Sequence, residues 1–329
     1  MNYRQLGRTG LRISEIGFGC GNIGGLMVRG TFEEQVSAVA RAVELGIDYF
    51  DTAPDYGRGQ SETNLGKVLA HLKPDVRVGT KVRVNPENLP DLASFIASSV
   101  ETSLTRLGRD HVDLLQLHTP IVHQGGQGLT VDNVVGFEGV ADVFESLRQR
   151  GLTRFIGITG LGDTAAVKDV INSGRFDTVQ AYYNLLNPSA GQEVPAGFGG
   201  QDFDRLIARA GELGMGVIVI RVMAGGALGG AAARAGYASP TVGGALAAGS
   251  DYDQDERRAA RILSLAGDAL PLQRATVRFA LMNESVSTVM IGFSDNSQIG
   301  EAVTAAGEGP LPDSFMASLR AAWEQDAGA

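Results

Sequence analysis

Cysteine is almost missing from this chain: Cys20 is the single one in 329 residues, which excludes an intramolecular disulfide framework and a cysteine-rich zinc site. Positive charge is also in short supply. With 28 Lys and Arg against 37 Asp and Glu, the formal net charge is -9, so a basic surface able to grip nucleic-acid phosphates is lacking. No stretch approaches the ~20 apolar residues of a membrane-spanning helix, and the start, Met1-Asn2-Tyr3-Arg4-Gln5, carries no apolar signal core. These features lead us to expect a cytoplasmic protein with neither nucleic acid nor membrane as a partner. Aromatic residues are few at 6%, and Trp323 is the only tryptophan. Glycine is the surplus: 45 residues are roughly twice the usual share, which implies tight turns or close backbone approach to a ligand.

Hydrophobic residues make up 43% and charged residues 20%, enough apolar material for a full core. Short β-branched runs alternate with longer amphipathic segments, the pattern of repeated βα units. A hairpin (Tyr3 to Leu6, turn at Gly7 to Gly10, Arg12 to Ser14) is predicted first. Strands are then predicted at Ile16–Gly19, Asp48–Thr52, Val76–Val82, Val112–His118, Arg154–Thr159, Thr178–Tyr183, Gly216–Val222 and Thr288–Phe293. The intervening helices are predicted at Thr31–Leu45, Ser61–Leu72, Leu92–Leu107, Val140–Arg150, Thr164–Ser173, Phe203–Leu213 and Pro271–Met282, with Asp295–Ala306 after the last strand. Thr31 with Glu34 reads as a capping box, and Ser61 with Glu62 as a helix start. Eight strand–helix pairs predict a (β/α)8 TIM barrel, an α/β fold of about 250 residues before insertions, as one domain over residues 1–329. Two connections are long for such a barrel: Thr119 to Glu138, and Met223 to Pro271 with a charged, helix-like stretch at Asp253 to Ala266.

A barrel of this kind places its reacting groups at the C-terminal strand ends. Collecting the polar residues there gives Asp51 after strand two, Lys81 after strand three and His118 after strand four, with Tyr56 following in the loop after Asp51. Taken singly, each has an ordinary explanation: a turn or cap for the aspartate, a solvated lysine, a structural histidine. An acid, a phenol, an ammonium and an imidazole converging on one mouth is a different matter. His71, His111 and His123 fall outside the pattern and read as surface or loop residues, and Asp113 as a packing or capping group.

The stretch Phe50-Asp51-Thr52-Ala53-Pro54-Asp55-Tyr56-Gly57, followed by Ser61-Glu62-Thr63-Asn64-Leu65-Gly66, resembles the aldo-keto reductase signature. The resemblance continues through Gly79-Thr80-Lys81, Val112 to His118 and Gln180-Ala181-Tyr182-Tyr183-Asn184 to Ile291-Gly292-Phe293, covering nearly the whole chain in order. It implies an oxidoreductase that moves a hydride between a nicotinamide cofactor and a small carbonyl or alcohol. An alkoxide forming from a carbonyl needs a proton donor in hydrogen-bond reach. Tyr56 is that acid. Because a phenol ionises only near about pH 10, Lys81 supplies the cation that makes its phenolate accessible. Asp51 holds Lys81 charged and aimed, and His118 polarises the carbonyl oxygen. No metal is called for.

The resemblance also implies a dinucleotide lying extended across the barrel mouth. Gln180 and Asn184 match the polar set that reads the carboxamide, and Thr159-Gly160 stands where a Ser-Asn pair is usual, leaving Thr159. Ile220 replaces the aromatic residue that commonly stacks on the nicotinamide. Arg221, ahead of Met223-Ala224-Gly225-Gly226, is suited to a phosphate. Gly226, Gly292, Ser294 and Gln298 complete the expected cofactor contacts. No lysine or arginine follows the last strand between Ser285 and Gly300; Asn296 offers a hydrogen bond there, Arg234 is a further source of charge, and Asp295 reads as a helix cap. NADP is expected, with NAD as the alternative. Asn22, Ile23 and Thr119, with the Pro120 to Phe137 loop, are expected to line the substrate pocket, which suits a small polar aldehyde, a sugar or a pyridoxal-like compound, with sugar oxidation at the anomeric carbon as one direction. Two other readings fit parts of the pattern. One is a barrel lyase in which Lys81 forms a Schiff base, needing neither Tyr56 nor Gln180. The other is a cofactor-binding regulatory subunit with little turnover.

Overall fold

The computed structural model describes residues 1–126, 128–229, 236–239, 251–266 and 270–327; Arg234 lies outside them. Strands β1 (Tyr3–Gln5) and β2 (Arg12–Ser14) form an antiparallel hairpin. The barrel is made of β3 (Ile16–Gly19), β4 (Tyr49–Asp51), β5 (Arg77–Val82) and β6 (Val112–Leu117). A pair of two-residue strands, β7 (Ile121–Val122) and β8 (Leu129–Thr130), sits in the following loop. The barrel then continues with β9 (Thr153–Thr159), β10 (Thr178–Tyr182), β11 (Gly216–Ile220) and β12 (Val286–Gly292). These eight strands are parallel and close in the order β10-β11-β12-β3-β4-β5-β6-β9, the expected (β/α)8 barrel.

Period-two alternation explains what the barrel holds inside. Leu115, Leu117, Val217 and Val219 face outward into the large core shared with the helices, whereas Tyr49, Leu114, Ile218 and Met290 face the lumen. Leu6 and Ile13 of the hairpin join this inner group, so the hairpin plugs one end and the lumen is a packed floor, not a channel. Two residues further along each strand, the same inward face carries Asp51, Gln116, Ile220 and Gly292. The functional layer is therefore the apolar floor shifted by one pleat.

Helix limits fall within a few residues of expectation; Leu92–Leu107 agrees at both ends. The Thr31 capping box is present, with Glu34 N donating to Thr31 Oγ1 and Thr31 N to Glu34 Oε2. Ser61 is not a cap: the helix Gln60–Leu72 starts after Gly59, whose φ of 89° suits glycine. Instead Ser61 Oγ donates to the Cys20 carbonyl at 2.9 Å and meets Thr52 Oγ1 at 2.8 Å, fastening the helix to the strand ends. The charged stretch in the long connection forms a helix, Tyr252–Ala266. A terminal helix, Asp313–Ala327, packs the tail back through Trp323, whose Nε1 donates to the Leu185 carbonyl at 2.8 Å. Among the described residues no helix is long and apolar enough to cross a membrane.

Candidate active site

Asp51 is the hub of the barrel mouth. Its Oδ2 pairs with Lys81 Nζ, and its Oδ1 accepts from Gln116 Nε2 at 2.9 Å, Gln180 Nε2 at 3.0 Å and the Tyr49 hydroxyl at 3.3 Å. Lys81 is fully buried and also donates to the Thr52 carbonyl at 2.8 Å. Burial works to strip the proton from Lys81, but the charge of Asp51 and then the Tyr56 phenol outweigh it and raise its pKa above the ordinary lysine value. The site therefore holds a permanent cation. Burial, followed by the charge of Asp51, drives the Tyr49 phenol well above its usual pKa, so it stays a hydrogen-bond donor to the carboxylate.

Lys81 Nζ lies 5.0 Å from the centroid of the Tyr56 ring, and the His118 ring meets Tyr56 edge to face with centroids 5.8 Å apart. Burial, then the charges of Lys81, Arg83 and Arg221, push the His118 imidazole well below the usual histidine pKa. It is neutral. Its Nδ1 stands 3.6 Å from Asp55 Oδ2, too far for a hydrogen bond and uncharged, so the contact is not an ion pair; Nδ1 is buried and unpartnered. Asp55 is held by Arg83 at 2.5 Å. The Tyr56 loop is pinned by Asn22, whose Oδ1 accepts from Gly57 N at 2.8 Å.

These groups open onto a cavity of about 610 Å³ that runs from Asp51, Tyr56 and His118 to Gln273, Arg274 and Glu301. Asn22, Ile23, Thr159 and Gln180 line it, as do Ile220, Arg221, Gly226, Gly292, Ser294 and Gln298. Lys81 stands behind Asp51, sealed from the cavity. A Schiff base requires an accessible neutral amine, which this paired and buried group is not. Two expected residues lie elsewhere. Asn184 is buried with Oδ1 accepting from Leu186 N and Asn187 N at 2.9 and 3.0 Å, and its Nδ2 donates to the Arg221 carbonyl at 2.9 Å; it shapes the loop beneath Arg221. Thr119 Oγ1 is engaged by Val84 N and O at 2.9 and 2.8 Å, and the Pro120 to Phe137 loop folds into β7, β8 and the short helix Val131–Val135 away from the cavity wall. Asp113 accepts from Val78 N and pairs with Arg154, both at 2.9 Å. Asp295 is not the expected cap: it accepts from Ser297 N at 2.8 Å in a turn one residue ahead of Asn296, the N-cap of the helix Ser297–Gly307.

The cavity has features that suit a dinucleotide. Gly225 and Gly226, at φ 68° and 115°, present bare backbone to it, and a Cβ on Gly24 would come within 2.5 Å of the Gly292 carbonyl carbon, so two loops meet there with no room for side chains. Arg221, expected to meet a cofactor phosphate, lines the same cavity with its Nη1 buried and unpartnered; that state calls for an anion without saying whether cofactor or substrate carries it. Ser294 N donates to Gln298 Oε1 at 2.9 Å, tying two of the expected contacts together.

Residues 15–324 match the Aldo/keto reductase family. This chain belongs to that family. It is 30% identical over 311 residues to the L-galactose dehydrogenase of Arabidopsis thaliana, spanning 93% of this chain and 88% of that one. To the D-threo-aldose 1-dehydrogenase of a Pseudomonas species it is 27% identical over 320 residues, 88% of each chain. Its fold is that of the holo form of aldo-keto reductase AKR11C1 from Bacillus halodurans, with a TM-score of 0.70, 24% identity and coverage of 99% of this chain and 96% of that one. As an aldo/keto reductase the chain is an oxidoreductase. Gln116 and Tyr49, both on the Asp51 carboxylate, were missed by the sequence reading; the alternation in Leu115-Gln116-Leu117 was the available signal, since it turns Gln116 inward. Gln273 and Arg274 lie on the helix Leu272–Leu281 and Glu301 on Ser297–Gly307, two helices that the closed barrel brings to one end of the cavity.

Proposed function

We propose that this chain interconverts a small polar aldehyde or sugar and its oxidised or reduced partner with a nicotinamide dinucleotide, Tyr56 acting as the general acid and base. The observation that carries this reading is the buried Lys81 cation 5.0 Å from the Tyr56 ring. When bound, the nicotinamide supplies or accepts the hydride. As negative charge develops on the substrate oxygen, Tyr56 delivers a proton to it, and in the opposite direction takes one from the alcohol. Lys81 steadies the phenolate left behind, and Asp51 keeps Lys81 charged and in place. Neutral His118 has one N–H to give, and the tautomer protonated on the cavity side donates it to the same oxygen, fixing the direction of the carbonyl. With the four groups intact, turnover is a better account of the chain than a regulatory role.

Gln180 and Thr159 would hold the carboxamide, Ile220 would pack against the nicotinamide, and Gly226, Gly292, Ser294 and Gln298, which line the same cavity, would hold the rest of the dinucleotide. NADP was the expectation from the family; the far end of the cavity favours NAD. Arg274, which lines it, is shared between Glu301 at 2.7 Å and Glu308 at 2.7 Å, so its charge is already answered, and Ser294, Ser297 and Gln298 are neutral. Sugars are favoured by the activities for which the two relatives are named and by a cavity wall without tryptophan. The test is a panel of aldoses and small aldehydes offered with NAD and NADP in both directions, followed by nicotinamide absorbance. Turnover of at least one sugar with NAD is expected, and silence throughout the panel overturns the reading.

A further inference from the structure

Two arginines line the cavity, and their circumstances differ. Arg274 bridges two carboxylates. Arg221 makes no ion pair among the described residues, and its Nη1 is buried without a hydrogen-bond partner. A half-buried cation with no counter-charge on its buried Nη1 is costly, and the backbone adds to that cost: Arg221 sits at φ 59°, a left-handed conformation that residues other than glycine, asparagine and aspartate rarely adopt. The fold nonetheless enforces it. Asn184 Nδ2 and Ala224 N both donate to the Arg221 carbonyl, at 2.9 and 2.8 Å, and Asn184 is itself fixed by two backbone amides. This is the arrangement of a cation held ready for an incoming anion.

We propose that Arg221, sharing the cavity with Tyr56 and His118, is the receptor for a carboxylate or phosphate carried by the substrate. The inference rests on the redox reading above and narrows its substrate class to anionic aldehydes, sugar acids or sugar phosphates. Arg221 belongs to the reacting end. Burial lowers the Arg221 pKa, with the Tyr56 phenol the first group working against it, and the Arg221 charge comes after burial, Lys81 and Arg83 among the causes that depress the His118 pKa. The diphosphate of a dinucleotide has another place to lie, along the bare backbone of Gly225, Gly226 and Gly292. Ile220, Val222, Met223 and Phe293 add apolar surface to the cavity that Arg221 lines, and a lower local dielectric strengthens a charge-assisted hydrogen bond.

The experiment compares the unaltered chain with Arg221→Gln and Arg221→Lys on two aldehydes of matched length, succinic semialdehyde and butanal, with the dissociation constant of NAD measured alongside. Losing one charge-assisted contact should lower kcat/KM for succinic semialdehyde roughly ten- to hundred-fold. Arg221→Lys should recover part of the loss, while butanal turnover and NAD affinity stay within about two- to threefold, below the scale of one such contact. Equal losses on both aldehydes with weakened NAD binding would assign Arg221 to the cofactor and overturn the proposal, as would no change on either. A second arm needs no turnover: calorimetric titration of malonate into the NAD-saturated protein, expected to bind at least about tenfold more weakly to Arg221→Gln. If neither aldehyde reacts, the panel of aldoses alone decides the redox reading, and malonate binding still decides the role of Arg221; equal malonate affinity in the two proteins overturns it.

Discussion

Gln180 and Asp51, 129 positions apart in sequence, meet at 3.0 Å, with the Gln180 amide donating to the carboxylate. Gln180 thus has two faces: its nitrogen is committed to the Asp51–Lys81 pair, and the rest of the side chain lines the cavity. A residue expected to touch the cofactor is in this way joined to the group that aims Lys81. The same carboxylate oxygen takes Gln116 and Tyr49, and with Lys81 on the other oxygen four side chains from four strands meet one charge.

Removing one partner of that pair should therefore be severe. Lys81→Met leaves Asp51 charged in a dry lumen, and a loss of about 3–5 kcal/mol is expected for an ion pair broken from one side. Adding Asp51→Asn should return part of that stability and none of the activity. Urea denaturation of the single and double variants measures the first, and turnover the second.

Tyr56→Phe keeps the ring and its edge contact with His118 and removes only the hydroxyl. Turnover should fall about 10²- to 10⁴-fold, the usual worth of a positioned acid or base, with NAD affinity unchanged. The outcome that sinks the assignment is a variant with full kcat.

His118 makes a pH prediction. Its pKa in the folded chain lies well below the ordinary 6.5, so as pH falls through that ordinary value the unfolded chain binds a proton that the folded chain does not. Stability is then fully present above the unfolded pKa and declines as pH drops toward the depressed folded one. His118→Gln should flatten this part of the stability profile. Imidazole NMR gives an independent check: the His118 resonances should not titrate around its ordinary value of 6.5.

Glu301→Gln removes one of the two carboxylates that occupy Arg274. A 2′-phosphate would then find a partly free guanidinium, and kcat/KM with NADP should rise about tenfold relative to NAD, the size of one charge-assisted contact. An unchanged ratio would place the 2′ position away from Arg274.

Residues 1–329 specify one thing without help from the fold: a two-residue pleat that recurs eight times. From it follow the barrel and the ends of its strands, and so the company of Asp51, Lys81 and His118, because a parallel strand fixes which residues face the lumen. Tyr56 was legible too, through its place in a recurring stretch. What lay beyond reach was decided off the strands. Asn184 and Thr119 carry polar groups of the right kind, yet neighbouring backbone amides claim them, and nothing in Tyr183-Asn184-Leu185 or His118-Thr119-Pro120 distinguishes a group aimed at a ligand from one aimed at its own loop. Arg221 turns on the sign of a single dihedral: at φ 59° its side chain enters the cavity wall, and that sign is imposed by Asn184 from another strand end. Directions along a strand are local and written in the chain. Directions in a loop depend on which distant groups satisfy its backbone, and only the closed barrel chooses them.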